Sequence, residues 1–460
     1  MKMKFFGATR TVTGSATLLD FNSSRILIDC GMHQGKNSNA LNHQPFPFDP
    51  TTIDHVFLTH AHMDHSGMLP RLVKEGYAGT IIATDATVDL AEILLNDTAQ
   101  IQEKDAEWQT KKNRRAGLEQ VIEPLYTADD VRATMKRFER RQYNQQKLLL
   151  DGFKYRFFDA GHILGSGSLE VNFQGNAGAK RILFSGDIGK HGNPIIADPQ
   201  HAETADYVVM EATYGNRLHK PFESSVGELL EAITSTFRRG GNVLIPAFAV
   251  GRTQDILYLL NQMVIDGKLK PIDVYVDSPL AEEATAVYLD HPELYDAEAS
   301  SLLRNGIGTS LKLHFTKNTE ESMAINRIRS GIVIMAGSGM CEGGRIRHHL
   351  KHNLWRPECS VIFVGFQAEG TLGREIVDGR RHVNILGEDI AVRAKIYTIG
   401  GFSAHADQKE LLDWIQTFAN KPEIFIIHAE ETVAEEFADI VGSKLQNKVH
   451  VPSRGEEFEI

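Results

Sequence analysis

The sequence has little of what several classes of protein require. Its 460 residues include only three cysteines, Cys30, Cys341 and Cys359, which lie far apart and form no C-x-x-C pair. We therefore expect neither a disulfide framework nor a thiolate zinc site. No window approaches the roughly 18 consecutive apolar residues of a membrane span, and the first residues lack the apolar segment of a secretory signal. These absences predict a cytoplasmic protein with no membrane contact.

An excess of positive charge is also missing. The chain has 49 lysines and arginines against 60 aspartates and glutamates, which gives a net charge of -11 at pH 7. This balance is unfavourable for a nucleic-acid partner, because phosphate binding usually requires a basic surface. Bound metal cations would compensate locally. Basic runs do occur, at 111–115, 136–141, 238–239 and 345–351, but such runs more often form solvated helix faces than binding stripes.

The overall composition is that of a folded globular protein, with 42% hydrophobic and 24% charged residues. Because 460 residues exceed the size at which one core stops growing, we expect at least two domains. Polar helical sequence covers residues 86–146. From residue 203 onward, apolar strands alternate with helices, which predicts a parallel sheet covered on both faces and hence an α/β fold class.

The strongest chemical signal is a group of four metal-binding side chains within six positions: His60, His62, Asp64 and His65. The apolar run 53–58 before it predicts a strand, and the spacing of apolar residues in 66–76 predicts a helix. The group therefore lies on a strand-to-helix turn. Ligands of open α/β sheets gather outside the carboxyl ends of strands, which is where such a turn places these side chains.

The spacing within this group predicts two cation positions. Residues two apart in extended backbone point the same way, so His60 and His62 can hold one cation, whereas Asp64 and His65 turn toward a second. A single histidine is more often structural than a ligand. Four potential ligands this close together favour metal binding, because a metal site needs several histidines and carboxylates at once.

Further acids and histidines follow apolar strands along the chain: Asp29, His162, Asp187, Glu211, His405 and His428. Taken singly, each is also explained as a turn residue, and Asp29 either caps a turn or orients a histidine. Taken together, they are candidates for the remaining ligands. The last two lie near the far end of the chain, so the middle of the sequence is predicted to be an insertion into the first domain.

These motifs, in this order, resemble the β-CASP branch of the metallo-β-lactamase fold, a group of nucleases that includes the eukaryotic cleavage and polyadenylation endonuclease and its bacterial and archaeal relatives. The stretches 245–252 and 337–345 are also similar to that family. The resemblance covers the whole chain and implies an αββα sandwich with an inserted β-CASP α/β domain. The implied boundaries are 1–207 and 395–460 for the sandwich and 208–394 for the insertion.

The resemblance also implies functions for individual residues. Two zinc ions are expected, one held by His60, His62 and His162 and the other by Asp64, His65 and His428, with Asp187 bridging them. Catalytic roles fall to Asp187, Asp64 and His405, with Glu211 accepting a hydrogen bond from the His405 imidazole. Asp29 would support the ligands from outside.

The expected activity is a zinc-dependent ribonuclease that hydrolyses RNA phosphodiester bonds, as an endonuclease, a 5′-3′ exonuclease, or both. A histidine at the third β-CASP motif, here His428, resembles the RNA-acting members of the family, and single-stranded RNA is the expected partner. Many members have glycine after this histidine, where this chain has Ala429. One methyl group is expected to have little effect.

Four residues are weaker candidates for RNA contact: Ser338, Gly339, Arg345 and Arg252. The glycines around the first two follow a predicted strand and precede a helix, so that backbone N–H groups there could bind a phosphate and Arg345 could pair with it. A purely structural glycine turn explains the same pattern.

Two other functions remain open at this level. A small-molecule thioester or lactone hydrolase of the same superfamily would share the first motifs, but it has no need of Glu211, His405 or an inserted domain. A non-catalytic RNA-binding scaffold would be expected to have lost ligands, and here each ligand position is occupied. A homodimer is one possible assembly.

Overall fold

A computed structural model of the chain describes residues 1–35, 37–175, 178–302 and 309–460. The chain folds into two compact units. The first unit comprises Met1–His191, Asp198–Leu218 and His405–Ile460, and the second comprises Gly192–Ala197 and His219–Ala404. The main crossings between units therefore lie near residues 218 and 404, whereas the domain boundaries expected from the sequence lie at 207 and 394.

The strands of the described residues, in chain order, are β1 (Lys2–Gly7), β2 (Ala16–Phe21), β3 (Ser24–Ile28), β4 (His55–Phe57), β5 (Thr80–Thr84), β6 (Phe138–Arg141), β7 (Lys147–Leu150), β8 (Phe153–Asp159), β9 (Gly167–Gly175), β10 (Gly178–Phe184), β11 (Tyr207–Glu211), β12 (Val243–Pro246), β13 (Asp273–Val276), β14 (Lys312–Phe315), β15 (Ile332–Ala336), β16 (Ser360–Phe363), β17 (His382–Ile385), β18 (Glu388–Ala391), β19 (Lys395–Thr398), β20 (Glu423–Ile427), β21 (Val449–His450) and β22 (Glu457–Glu459).

The α-helices of the same residues are α1 (Ser38–Asn42), α2 (Met63–Ser66), α3 (Leu69–Lys74), α4 (Asp85–Arg115), α5 (Ala128–Met135), α6 (Phe222–Arg238), α7 (Arg252–Ile265), α8 (Pro279–Asp290), α9 (Ala297–Leu302), α10 (Thr319–Ile325), α11 (Ile346–Asn353), α12 (Leu372–Val377), α13 (Gln408–Gln416) and α14 (Glu431–Leu445). None of the helices in the described ranges combines the length and apolarity needed to cross a membrane.

The first unit contains two seven-stranded sheets. One has the order β22-β1-β2-β3-β4-β5-β6, with antiparallel pairing from β22 to β3 and parallel pairing from β3 to β6. The other has the order β21-β20-β11-β10-β9-β8-β7, parallel from β21 to β10 and antiparallel from β10 to β7. In each sheet, a strand from the last part of the chain pairs with strands from the first half.

The two sheets pack face to face through a shared aromatic core. Phe57 from the first sheet contacts Tyr155 from the second with ring centroids 4.7 Å apart, and Phe5 lies 5.7 Å from Phe425. Burying one such side chain stabilises the fold by about 1.5–3 kcal/mol. Helices α13 and α14 cover the outer face of the second sheet, and α4 packs on the edge of the first sheet through β5 and β6. The αββα sandwich is confirmed.

The second unit is built on a six-stranded sheet, β14-β13-β15-β12-β16-β19, in which each pairing is parallel. Its central strands, such as Ile332–Ala336, are buried at every position, which is the continuous apolar pattern of a sheet covered on both faces. A short hairpin of β17 and β18 adds to this unit. The predicted second α/β domain therefore has the expected kind of sheet.

One expectation from the sequence is wrong in detail. The stretch 86–146 is not helical throughout, because Phe138–Arg141 forms the edge strand β6 beside β5. Its side chains are half-buried or exposed, so it lacks the apolar alternation by which strands are recognised. Pairing with β5 decides its conformation.

Candidate metal centre

The turn after β4 carries the first four candidate ligands, and Asp29 supports it from below. The Asp29 carboxylate accepts hydrogen bonds from the Thr59 backbone N–H at 2.8 Å and from the Thr59 hydroxyl at 2.9 Å. It also accepts one from His65 Nδ1 at 2.7 Å. Because Nδ1 is engaged by Asp29, Nε2 is the nitrogen of His65 that can bind a metal ion.

The backbone changes from extended to helical within this turn. His60 precedes the helix, His62 is the residue at which α2 is capped, and Asp64 and His65 lie in the helix itself. This change of backbone conformation separates the four side chains into two pairs. The geometry corresponds to the two directions expected from the spacing.

The first ligand set consists of His60, His62, His162 and Asp187. His62 Nδ1 lies 3.1 Å from His60 Nε2 and 3.2 Å from His162 Nε2. The Asp187 Oδ2 atom lies 3.4 Å from His60 Nε2 and 3.6 Å from His162 Nε2. Four ligand atoms thus surround one position.

The second set consists of Asp64, His65 and His428, again with Asp187 beside it. Asp64 Oδ2 lies 3.4 Å from His428 Nε2, and Asp187 Oδ1 lies 3.3 Å from His65 Nε2. The two oxygens of Asp187 therefore face different sets. The carboxylate has the placement of a bridging ligand.

The residues present fit a pair of metal ions. Ligand bonds of about 2.0–2.2 Å in a tetrahedral site separate neighbouring ligand atoms by roughly 3.3–3.6 Å, close to the distances given above. Three of the atoms that point into the centre are buried and have no hydrogen-bond partner among the residues that the structure describes: His65 Nε2, Asp187 Oδ1 and His428 Nε2. Unpaired buried polar atoms are costly, and cation binding removes that cost.

The electrostatics favour the metal-binding form at His60 and Asp187, whereas at His65 and His428 burial is outweighed by Asp187, which raises the pKa of both imidazoles. Burial, with the neighbouring His65 imidazole, lowers the pKa of His60 well below its ordinary value. Burial opposes the charge of Asp187, but the His428 and His65 imidazoles outweigh it and hold the pKa of that carboxyl well below its ordinary value. Neutral imidazole and ionised carboxylate are the ligand forms.

His405 and Glu211 form a pair next to the first ligand set. Glu211 ends β11, and its carboxylate accepts hydrogen bonds from His405 Nδ1 at 2.9 and 3.1 Å. The same carboxylate accepts the Ile188 backbone N–H at 2.6 Å. Burial opposes protonation of His405, but Glu211 outweighs it and raises the pKa of the imidazole to about 9.

The backbone around His405 fixes its position. A bridge pairs His405 with Gly189, and the Ala406 N–H donates to the Ile188 carbonyl at 2.8 Å. Two residues later, Asp407 caps α13 through reciprocal hydrogen bonds with Glu410. The residue that caps the helix after this turn is therefore Asp407 and not His405. The His405 ring lies 4.5 Å from that of His162, measured between centroids.

Several residues that support the site carry no signal in the sequence. The Ser166 hydroxyl accepts the His162 backbone N–H at 3.0 Å, and Asp159 accepts that of Gly161 at 2.9 Å. Burial raises the pKa of Asp159 to about 7. Thr213, two residues after Glu211, contacts His428. Serines and threonines are common in turns, so only the contacts identify these residues.

The four candidates for RNA contact lie in the second unit, after two neighbouring strands of its parallel sheet. Ser338, Gly339 and Arg345 fall between β15 and α11, and Arg252 begins α7 after β12. The strand, glycine turn and helix occur as expected from the sequence. Both segments leave the sheet at the carboxyl ends of its strands.

The two arginines of this group have partners within the second unit. Arg345 Nη1 donates to the buried Asp277 carboxylate at 2.6 Å, and Arg252 Nη1 donates to Asp255 at 3.1 Å. A guanidinium has five N–H donors, so these bonds orient Arg345 without using all its donors. They also give the arginine a structural role that the sequence does not reveal.

Comparison with known families finds three matches along the chain. Residues 9–247 match the Metallo-beta-lactamase superfamily, residues 253–376 match the Beta-Casp domain, and residues 389–452 match the Zn-dependent metallo-hydrolase RNA specificity domain. The first match alone spans more than half of the 460 residues. The three matches are consecutive and cover most of both units.

Two of three similar proteins of known name match this chain along nearly their whole length, and the third is longer. The chain is 40% identical to Ribonuclease TTHA0252 of Thermus thermophilus over 94% of each chain. It is 30% identical to an RNase J-like protein of Methanocaldococcus jannaschii over 98% of each. It is also 31% identical to the Transcription termination factor FttA of that organism, over 98% of this chain and 70% of the relative.

One solved structure resembles the fold along nearly its whole length. A crystal structure of a protein of unknown function from Enterococcus faecalis superimposes with a TM-score of 0.55 at 12% identity, and the similarity covers 99% of each chain. At that identity the likeness concerns the fold alone.

Proposed function

Since the chain belongs to the metallo-beta-lactamase superfamily and is one of its β-CASP ribonucleases, we propose that its seven clustered ligands hold two zinc ions at which RNA is hydrolysed. One observation carries the proposal: the Asp187 carboxylate directs one oxygen to each of two ligand sets, and among the described residues no hydrogen-bond partner is found for the buried nitrogens His65 Nε2 and His428 Nε2 of the second set. The first set offers three imidazoles and one oxygen of Asp187. The second offers two imidazoles, the Asp64 carboxylate and the other oxygen of Asp187. Zinc accepts both combinations of ligands.

When bound, zinc lowers the pKa of coordinated water to about 7 and neutralises charge on a phosphate group. The protein contributes the positions of the ligands and the charge around them. Asp187 sets the separation of the two ligand sets, and Asp64 places a negative charge beside His428. Asp29 holds His65 from behind, so its imidazole cannot rotate away.

His405 is the residue placed to deliver a proton to the leaving ribose oxygen. Its Nδ1 is engaged by Glu211, which leaves Nε2 as the atom that can donate. Glu211 favours the charged imidazolium, which is the proton-bearing form. Glu211 acts through His405 and is a positioning residue.

Contact of Ser338, Gly339, Arg345 and Arg252 with the RNA backbone is part of the proposal. Their support is the placement of both the glycine and the arginine segments at the carboxyl ends of parallel strands of one sheet, where ligands of such sheets gather. Single-stranded RNA is the proposed form of the substrate.

A cytoplasmic location remains a prediction, and the three buried free cysteines are compatible with it. A homodimer also remains a prediction.

The test combines metal analysis with substrate choice. The purified protein should contain two zinc ions per chain, and it should cleave labelled RNA but neither a thioester nor a lactone. Removing metal with a chelator should abolish cleavage, and returning zinc should restore it. A protein with fewer than two metals that still cleaves RNA fully would contradict the two-ion site.

The mode of cleavage is tested with circular RNA and with RNA labelled at its 5′ end. Cleavage of the circle requires internal attack, because the circle has no end. Release of single labelled nucleotides requires attack from the 5′ end. The two products distinguish an endonuclease from an exonuclease, and an enzyme with both activities gives both.

A further inference from the structure

Thr213 contacts two atoms of the proposed zinc ligand His428. Its hydroxyl oxygen Oγ1 lies 3.1 Å from the His428 backbone carbonyl oxygen and 3.1 Å from the ring nitrogen Nδ1. The carbonyl can only accept a hydrogen bond, so the single proton of the hydroxyl is donated there. The hydroxyl oxygen can then accept a hydrogen bond from the Nδ1–H group of His428.

This arrangement determines which nitrogen of His428 carries the proton. A neutral imidazole has one N–H and one lone pair, and a hydrogen bond at one nitrogen sets the role of the other. With the proton on Nδ1, the lone pair is on Nε2. Nε2 is the buried atom that lies 3.4 Å from Asp64 Oδ2 and has no hydrogen-bond partner.

The backbone around both residues supports the contact. His428 adopts a left-handed backbone conformation with φ of 51°, which is unfavourable for residues other than glycine. Its N–H donates a hydrogen bond to the Ala8 carbonyl at 2.6 Å. Thr213 is held in turn, because its N–H donates to the Glu211 carboxylate at 3.3 Å. Position 428 therefore depends on contacts from outside its own strand.

We propose that Thr213 is a positioning residue that fixes the orientation and proton location of His428, so that Nε2 is presented to the metal. Glu211 and Thr213, two residues apart at the end of β11, then each orient one histidine: His405 and His428, respectively. The proposal rests on the two-zinc function proposed above. It adds a role for a hydroxyl that belongs to neither ligand set.

The test replaces Thr213 in the full-length chain and measures metal affinity separately from activity. Thr213→Val keeps the shape of the side chain and removes the hydroxyl, whereas Thr213→Ser keeps the hydroxyl. Loss of such a supporting contact typically weakens metal binding by about 10–100-fold. We expect that loss for the zinc of the second ligand set, which contains His428, in the valine variant, with the serine variant within a few-fold of the parent.

The measurement is competition for zinc against a chromophoric chelator, together with the visible absorption of the cobalt-substituted protein. Thr134→Val is the matched control, since it removes a buried hydroxyl that bonds only the Asp130 carbonyl in α5. Thermal melting of each variant reports whether it is folded.

The outcomes separate this inference from the function on which it rests. Zinc affinity and cobalt spectrum in Thr213→Val equal to those of Thr134→Val would overturn the role of Thr213. So would equal losses in the valine and serine variants. A parent protein that binds fewer than two ions would instead contradict the proposed two-zinc function. Loss confined to the valine variant supports the inference.

Discussion

At the scale of single residues, the contact between Glu211 and His405 shows how a buried carboxylate changes the properties of a histidine. The Glu211 carboxylate is fully enclosed and engages one nitrogen of the imidazole, so the other nitrogen is left to exchange a proton. His405 Nδ1 lies 4.0 Å from the Asp187 Oδ2 atom, farther than the 3.4 and 3.6 Å of the proposed ligands His60 and His162. Removal of His405 should therefore affect the reaction more than the metals.

Replacing His405 with alanine should slow RNA cleavage by about 10²–10⁴-fold, the usual worth of a positioned acid, while zinc content stays the same. Cleavage rates and metal analysis on the same preparation check this. His382→Ala, at an exposed hairpin position, serves as a control that should change neither. Loss of zinc from the His405 variant would show that the residue is a ligand and not an acid.

A second prediction concerns pH and the second unit. Asp277 accepts hydrogen bonds from His349 Nε2 and the Ser322 hydroxyl, each at 2.6 Å, and from Arg345. Burial opposes its charge, but these bonds outweigh burial and hold its pKa well below the ordinary 3.8. An acid whose folded-state pKa is depressed contributes stability above its unfolded pKa and loses that contribution as pH falls.

Asp277→Asn should therefore reduce the free energy of unfolding at neutral pH and flatten its decline below about pH 4. Urea unfolding of the parent and the variant at several pH values between 2 and 7 measures both effects. Asp378→Asn, at an exposed helix end, is the control. Parallel pH profiles for the parent and Asp277→Asn would show that the carboxylate has no such linkage.

The proposed metal ligands could be selected from the sequence because they occur in short motifs, and two of them, His162 and Asp187, directly follow a glycine. The contacts that orient them could not. Ser166, Asp159 and Thr213 are ordinary polar residues in the sequence. Ser166 bonds the backbone of the proposed ligand His162 four residues away, Asp159 bonds the backbone of Gly161 beside that ligand, and Thr213 contacts a proposed ligand 215 residues away. Such pairing depends on tertiary structure, which local pattern does not encode.

At the scale of elements, the segment after β10 is held by close backbone packing. A Cβ atom added to Gly189 would lie 1.7 Å from the Gly161 carbonyl oxygen, which is backbone and cannot move aside as a side-chain end would. The Gly189 N–H also donates to the Ala160 carbonyl at 2.8 Å. This contact joins the loop of His162 to the segment that pairs with His405.

Gly189→Ala should lower the free energy of unfolding by about 1–3 kcal/mol, the usual cost of overpacking, and should reduce zinc affinity by displacing His162. Gly442→Ala is the matched control, because Gly442 lies in α14 with open space around its Cβ position. That control should be neutral or slightly stabilising. Chemical unfolding and zinc competition test both variants, and identical behaviour would contradict the packing argument.

The elements show where sequence patterns are informative. Central strands such as β15 and β20 are apolar and were recognised, whereas the edge strands β6 and β14 are polar and were not. An edge strand is exposed on one side, and charge there prevents pairing with other chains. The charged side chains that protect an edge strand from pairing with other chains also remove the apolar pattern by which a strand is identified in the sequence.

At the scale of the whole molecule, the proposed ligands run from His60 to His428 and so connect distant parts of the chain within the first unit. Metal bound only by the folded state stabilises it in proportion to the logarithm of metal concentration over its dissociation constant. Removing metal should also leave several like-charged or unpaired groups buried together. Both effects lower stability.

Treatment with a chelator should therefore lower the melting temperature of the full-length protein by several degrees, and added zinc should restore it. Scanning calorimetry with and without chelator measures the change. The same experiment on a His60→Ala, His65→Ala double variant should show a smaller shift, because part of the site is already lost. An unchanged melting temperature in the parent would mean that metal binding is not linked to folding.

The pairing of the last strands with the first has a consequence for synthesis on the ribosome. Strand β20 lies between β11 and β21, β22 pairs with β1, and His405 and His428 are among the last residues to be made. A nascent chain that has completed its first 400 residues still lacks His405, the proposed acid, and His428, a proposed ligand of the second set. The second ligand set can therefore assemble only after residue 428 has been synthesised, so that metal binding at this set reports completion of the sandwich and not of its first half.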